Sequence, residues 1–160
     1  MSTLHLTTFI AAPVEVVFDL SRHIGLHKIS QQNHKEEAVN GITSGLIKEG
    51  ETVTWKAYHL FKFRFLKVKI TAMQSPDFFK DVMVTGDFKS YEHEHHFKSA
   101  KNGSIIIDIV RFELPYGILG TIVDRFYLRS YMKNLVEQRN KTIKEYAESN
   151  KWQALLNKRF

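Results

Sequence analysis

The most regular hydrophobic pattern in the sequence lies near its C-terminal end, from Tyr116 to about Glu148. Its apolar residues recur with the period of about 3.6 that is typical of a helix with one buried face. They are Leu119, Ile122, Val123, Phe126, Met132, Leu135, Val136, Ile143 and Tyr146. The pattern predicts one amphipathic helix of roughly 50 Å at 1.5 Å per residue, with a weak point around Arg129–Ser130. A helix of this length needs a long apolar surface to pack on.

Alternating apolar and polar residues upstream of the helix predict a sheet that could supply this surface. The expected strands cover Thr3–Ala11, Glu51–Leu60, Phe63–Met73, Phe78–Thr85, Phe88–Lys98 and Ser104–Leu114, with a weaker signal over Asn33–Val39. After the first strand, Pro13 is placed to begin a short helix that ends near Ser21. The segment Arg22–Ile29 favours a second short helix.

The last two strands are expected to form a hairpin, with Asn102-Gly103 as its two-residue turn. This dipeptide suits a type I′ turn, which needs positive φ at both central residues. The resulting register pairs His95 with Val110 and leaves Asp108 diagonal to His95. Because alternate residues share one face of a strand, a single face would carry Tyr91, His93, His95, Phe97, Asp108, Val110, Phe112 and Leu114.

The order of elements predicts the α+β class, since the helices fall at the two ends of a run of antiparallel strands. We expect a curved antiparallel sheet of about six to seven strands wrapped around the long C-terminal helix. One domain would cover residues 1–150, with a tail over 151–160. In that tail, Trp152, Leu155 and Leu156 either extend the helix or dock on the surface.

Composition excludes several function classes. The 160 residues suffice for one core, and the absence of cysteine excludes disulfides and thiol catalysis. No signal peptide and no apolar run of membrane-spanning length is present, which favours a cytoplasmic protein. The net charge of +6 would suit an anionic membrane surface. Nucleic-acid binding is not expected, because the basic residues are scattered, and no nucleotide-binding, serine-hydrolase or zinc-protease motif occurs.

Four segments resemble the SRPBCC superfamily, which comprises helix-grip proteins of the START and birch-pollen-allergen type. They are FIAAPVEVVFDLS, SGLIKEGETVTWKA, GDFKSYEHEHHF and DIVRFELPYGILGTIVDRFYLRSYM. The last three are similar to the bacterial cyclase/dehydrase-like, ligand-binding branch, in which a tryptophan often stands at the position of Tyr91. The resemblance covers nearly the whole chain. It implies an internal cavity between sheet and long helix that holds a hydrophobic or amphipathic small molecule.

The expected cavity wall contains apolar and polar side chains. It comprises Trp55, Ala57, His59, Tyr91, His93, His95, Val110, Phe112, Ile122 and Phe126. Among these, His93 and His95 with Asp108 are candidates for acid–base catalysis, in which Asp108 would orient a histidine. The same three residues could instead orient a ligand, or form a polar cluster that only fills space.

A metal site is not expected. The His93-x-His95 spacing alone is a weak signal, and a third ligand would have to come from His59 or Asp108. No cofactor is expected either. The favoured function is therefore binding of a lipid- or polyketide-like small molecule. The alternatives are a cyclase or dehydratase, and a protein-interaction role that would use an exposed apolar patch.

Overall fold

A seven-stranded antiparallel sheet forms the centre of the protein in the computed structural model, which describes residues 1–157 apart from the side chains of Asp124 and Arg125. The strand order is β1-β7-β6-β5-β4-β3-β2. The strands are β1 (Ser2–Ile10), β2 (Glu37–Gly41), β3 (Thr52–His59), β4 (Lys62–Gln74), β5 (Phe78–Thr85), β6 (Ser90–Ala100) and β7 (Gly103–Glu113). The expected curved sheet of the α+β class is confirmed.

Two short helices follow β1, as the sequence predicts. Helix α1 (Val14–Ser21) begins directly after Pro13 and is buried along nearly its whole length. Helix α2 (Ile24–Ser30) begins after His23, whose Nδ1 accepts a hydrogen bond from the backbone N–H of Leu26. The weak strand signal over Asn33–Val39 is shifted, since a 3₁₀ turn occupies Gln32–His34 and β2 begins at Glu37.

The long C-terminal helix is continuous from residue 117 to residue 147 but is not uniform. It comprises α3 (Gly117–Val123), a π-helical turn (Asp124–Leu128) and α4 (Arg129–Ala147). The π-helical turn lies just before the predicted weak point. Burial of the large apolar side chains begins at Leu128, and those before it are exposed. These exposed residues are Tyr116, Ile118, Leu119, Ile122, Val123, Phe126 and Tyr127.

The β6–β7 hairpin has a different register from the expected one. Its turn residues are Lys101 and Asn102, so that Ala100 pairs with Gly103 and His95 pairs directly with Asp108. Gly103 is needed for close packing instead of for the turn, because a Cβ there would lie 2.2 Å from the carbonyl oxygen of Ile10. The shift is two residues, so each side chain stays on the expected face.

Two hydrophobic clusters make up the core. The larger one surrounds Phe18, whose ring meets those of Phe79 and Phe97 edge-on. The smaller one lies beneath α4 and contains Val110 and Phe112. Helix α5 (Lys151–Leu156) packs Trp152, Leu155 and Leu156 against the larger cluster. Residues 158–160 of the predicted tail lie outside the described residues.

Within residues 1–157, no helix combines the length and the apolar character that crossing a membrane requires.

Candidate functional site

A cavity of about 260 Å³ lies between the sheet, α2 and α4. This volume is just below the range of roughly 300–1,000 Å³ that is usual for ligand pockets. Its wall is mostly apolar, and the apolar residues come from β3, β4, β5 and the long helix. They include Val53, Trp55, Ala57, Leu66, Val68, Ile70, Phe79, Leu128, Met132, Leu135 and Val136.

A buried polar network forms one part of the wall and is centred on Asp108, which is fully buried. His93 donates from Nε2 to Asp108 Oδ1 over 2.7 Å, and His95 Nδ1 lies 3.0 Å from the same oxygen. Asn140 donates to the other oxygen over 2.6 Å, and Arg139 lies 3.5 Å from Oδ1. Burial alone would raise the pKa of Asp108, but these hydrogen bonds and the charge of Arg139 hold it well below its ordinary value.

His95 lies between two carboxylates. Its Nδ1 faces Asp108, and its Nε2 lies 2.9 Å from Asp81 Oδ2. Because a carboxylate only accepts, the imidazole can serve both partners only when each nitrogen carries a proton. Burial would raise the pKa of Asp81, but the hydrogen bond from His95 keeps it below its ordinary value.

His93 differs from His95, because only one of its ring nitrogens is engaged. Among the residues that the structure describes, Nδ1 of His93 has no hydrogen-bond partner. Burial and the neighbouring His95 lower the pKa of His93 to about 4, although the contact with Asp108 works in the opposite direction. His93 is therefore a neutral imidazole at pH 7, on the wall of the cavity.

Asp81, His93 and His95 could together hold a metal ion. One donor atom from each lies within 4.8 Å of the others, so the third ligand would be Asp81 and not His59 or Asp108. Asp108 would then be the outer carboxylate that orients both imidazoles. The direct hydrogen bond between His95 and Asp81 already satisfies two of these groups without a metal.

A second polar region of the wall lies around α2 and β3. His27 stacks on Trp55 with ring centroids 4.4 Å apart, and its Nε2 is 2.7 Å from Glu36 Oε1. Gln31 follows α2 and reaches across to α4. Nearby on β3, His59 Nδ1 lies 2.7 Å from the hydroxyl of Tyr131. Burial lowers the pKa of His59, which favours its neutral form.

Six of the ten expected wall residues line this cavity. They are Trp55, Ala57, His59, Tyr91, His93 and His95. Burial raises the pKa of Tyr91 well above its ordinary value, so its phenol stays neutral.

The other four expected residues do not line it. Val110 and Phe112 are fully buried in the cluster beneath α4. Ile122 and Phe126 precede the buried part of the helix and are 49% and 78% exposed.

Several residues of the site were not predicted from the sequence. Asp81 shares a face of β5 with Phe79, and this alternation is a signal that could have located it. Arg139 and Asn140 lie within the helical spacing of Val136 and Ile143, where polar residues interrupt the apolar stripe. Gln31 and Glu36 carry no comparable signal, because they lie at irregular positions around a 3₁₀ turn.

No family model and no curated protein matches the sequence. Solved structures do match. The protein TTHA0849 from Thermus thermophilus is 19% identical with a TM-score of 0.71, over 91% of this chain and 97% of that one. Ginseng major latex-like protein 151 from Panax ginseng is 15% identical with a TM-score of 0.69, over 92% and 98%. A START superfamily protein from Mycobacterium smegmatis is 10% identical with a TM-score of 0.69, over 91% and 97%.

These similarities cover nearly the whole of each chain at low identity, so they concern the fold. They confirm the fold that the resemblance of the four sequence segments implies. The chain has the helix-grip fold, which START and birch-pollen-allergen-like proteins also have.

Proposed function

We propose that this protein binds a small hydrophobic or amphipathic molecule, lipid- or polyketide-like in character, in the cavity between sheet and long helix. The observation that carries the proposal is the cavity itself, with apolar walls and a few polar groups at defined places. Apolar walls favour a ligand through burial of its surface, and isolated polar groups fix its orientation. The resemblance to the ligand-binding branch of the superfamily supports the same function.

The cavity volume limits the ligand. About 260 Å³ suits a molecule of two or three fused rings or a short chain more than a large membrane lipid. Asp81 and Asp108 already have hydrogen-bond partners within the protein, so the network does not require a charged ligand. A neutral, mostly apolar molecule therefore fits best.

Titration with a neutral fluorescent probe, N-phenyl-1-naphthylamine, tests the proposal. We expect saturable one-to-one binding that is weakened at least about tenfold in Ala57→Phe, whose new ring would occupy the cavity. Thr54→Phe places the same ring on the opposite face of β3 and should bind like the wild type. Binding that is absent, or equally strong in the wild type and Ala57→Phe, would contradict the proposal.

A cyclase- or dehydratase-type enzyme is the second candidate function. The observation that favours it is the state of the His93 imidazole. A neutral imidazole with one free nitrogen on an apolar wall is suited to accept a proton. His95 is less suited, since both of its nitrogens are engaged. If turnover of a carbonyl-containing substrate is found, His93→Gln should abolish it while leaving probe binding within about threefold. Unchanged turnover in this variant would exclude His93 as the base.

A further inference from the structure

Two buried oxygens in the cavity wall accept no hydrogen bond within the described residues, Gln31 Oε1 and Glu36 Oε1, and the second lies 2.7 Å from His27 Nε2. Gln31 is only 5% exposed, and its Nε2 donates to the backbone carbonyl of Leu135 on α4 over 2.9 Å. Among the described residues, no donor reaches its Oε1. The orientation of the amide is determined, because a flipped amide would place Oε1 against the carbonyl of Leu135. The wall therefore presents a buried acceptor in a defined position.

The neighbouring wall presents an unused donor. Trp55 is 9% exposed and lines the cavity, and within the described part of the chain its indole N–H meets no acceptor. Its ring stacks on His27, whose backbone carbonyl accepts from the N–H of Gln31 over 3.2 Å. Gln31, His27 and Trp55 thus form one continuous part of the wall.

A buried polar group without a partner is costly, so the Gln31 oxygen favours a ligand that donates to it, and the unused Trp55 N–H can donate to that same ligand. A carboxylate cannot donate to the Gln31 oxygen, and an ammonium cannot accept from the Trp55 indole. Glu36, also in this wall, disfavours an anion further. A hydroxyl is the smallest neutral group that both donates and accepts.

We propose that Gln31 Oε1 and Trp55 Nε1 form a hydroxyl-binding subsite, and that the ligand is a hydrophobic alcohol or phenol whose hydrocarbon body fills the cavity. This inference rests on the proposed function and specifies its ligand class. It assigns the specificity to a part of the wall that is separate from the His93, His95 and Asp108 network.

The test compares 2-naphthol with 2-methylnaphthalene, in which a methyl group of similar size replaces the hydroxyl. Each dissociation constant is measured by displacement of N-phenyl-1-naphthylamine, and the ratio of the two constants is formed for each protein. Comparing ratios between proteins cancels the transfer of each probe from water. Relative to the wild type, Gln31→Leu should change the ratio about tenfold in favour of 2-methylnaphthalene binding, because the variant no longer accepts a hydrogen bond from the hydroxyl of 2-naphthol.

Gln32→Leu is the matched control, since the adjacent side chain is exposed and should leave the ratio unchanged. Trp55→Phe keeps an aromatic ring but removes the donor, and should shift the ratio in the same direction as Gln31→Leu. If Gln31→Leu fails to fold, the ratio of dissociation constants measured for Trp55→Phe still tests the subsite. Ratios that stay equal in the wild type and both wall variants overturn the subsite while the cavity still binds. A wild type that binds neither probe overturns the proposed function itself.

Discussion

Replacing Asp108 by asparagine should destabilise the protein strongly, although the two side chains have nearly the same shape. One carboxylate oxygen faces His93 and His95, and the other faces the amide nitrogen of Asn140 at 2.6 Å. An asparagine has one amide nitrogen of its own. If its oxygen keeps the bond from Asn140, its nitrogen faces His93 and His95, and each imidazole can accept from it only after giving up the proton it now donates to Asp108.

The charge change adds to this effect. Arg139 is 5% exposed and loses a carboxylate partner 3.5 Å away. Removing one member of a buried ion pair costs about 3–5 kcal/mol, because the other charge stays buried. That is a large part of the roughly 5–15 kcal/mol by which domains are usually stable. For a protein of this size it corresponds to a fall in melting temperature of about 6–20 °C.

Urea denaturation at pH 7, followed by circular dichroism, measures the change in the free energy of unfolding. Asp87→Asn is the control, because its carboxylate is half exposed and pairs with Arg64 at the surface. We expect the control to lose no more than about 1 kcal/mol. If the free energy of unfolding falls as little in Asp108→Asn as in Asp87→Asn, the network around Asp108 does not stabilise the fold in the way described.

Further predictions concern pH and the exposed half of the long helix. The pKa of His93 falls from 6.5 to about 4 on folding, so between these pH values the unfolded chain binds more protons than the folded chain. The free energy of unfolding should therefore fall by about 2 kcal/mol when the pH is lowered from 7 to 5. His93→Gln should lack this part of the loss, and His96→Gln, on the opposite face of β6, should keep it. Parallel curves of stability against pH for the wild type and His93→Gln would refute the assignment. On the helix, Leu119→Gln should change stability by less than about 0.5 kcal/mol, and Met132→Ala should cost about 2–5 kcal/mol. If Leu119→Gln lowers stability as much as Met132→Ala does, the Leu119 side chain is buried and not exposed.

The fold could be predicted because its signals are local. The period of the long helix, the alternation along β3 to β7 and the proline before α1 each act within a few residues. The pattern could not indicate which part of the apolar stripe packs against the sheet. Ile122 and Phe126 continue the stripe of Met132, yet the sheet covers only the part from Leu128 onward.

The site was predicted less completely, because it depends on pairing between distant segments. The face shared by His93, His95 and Asp108 follows from alternation alone. The direct pairing of His95 with Asp108 depends on whether Gly103 serves the turn or the contact with Ile10, and local turn preference favours the wrong choice. The unpartnered oxygen of Gln31 depends on its contact with Leu135, 104 residues away.

Native mass spectrometry of the protein purified from its source organism tests the central claim most directly. The comparison is with Ala57→Phe, purified in the same way, and any released compound is identified after denaturing extraction. We predict a near one-to-one complex with an apolar, hydroxyl-bearing compound in the wild type, and the bare chain in the variant. Equal masses of attached compound on both proteins, or two bare chains, would contradict ligand binding in the cavity.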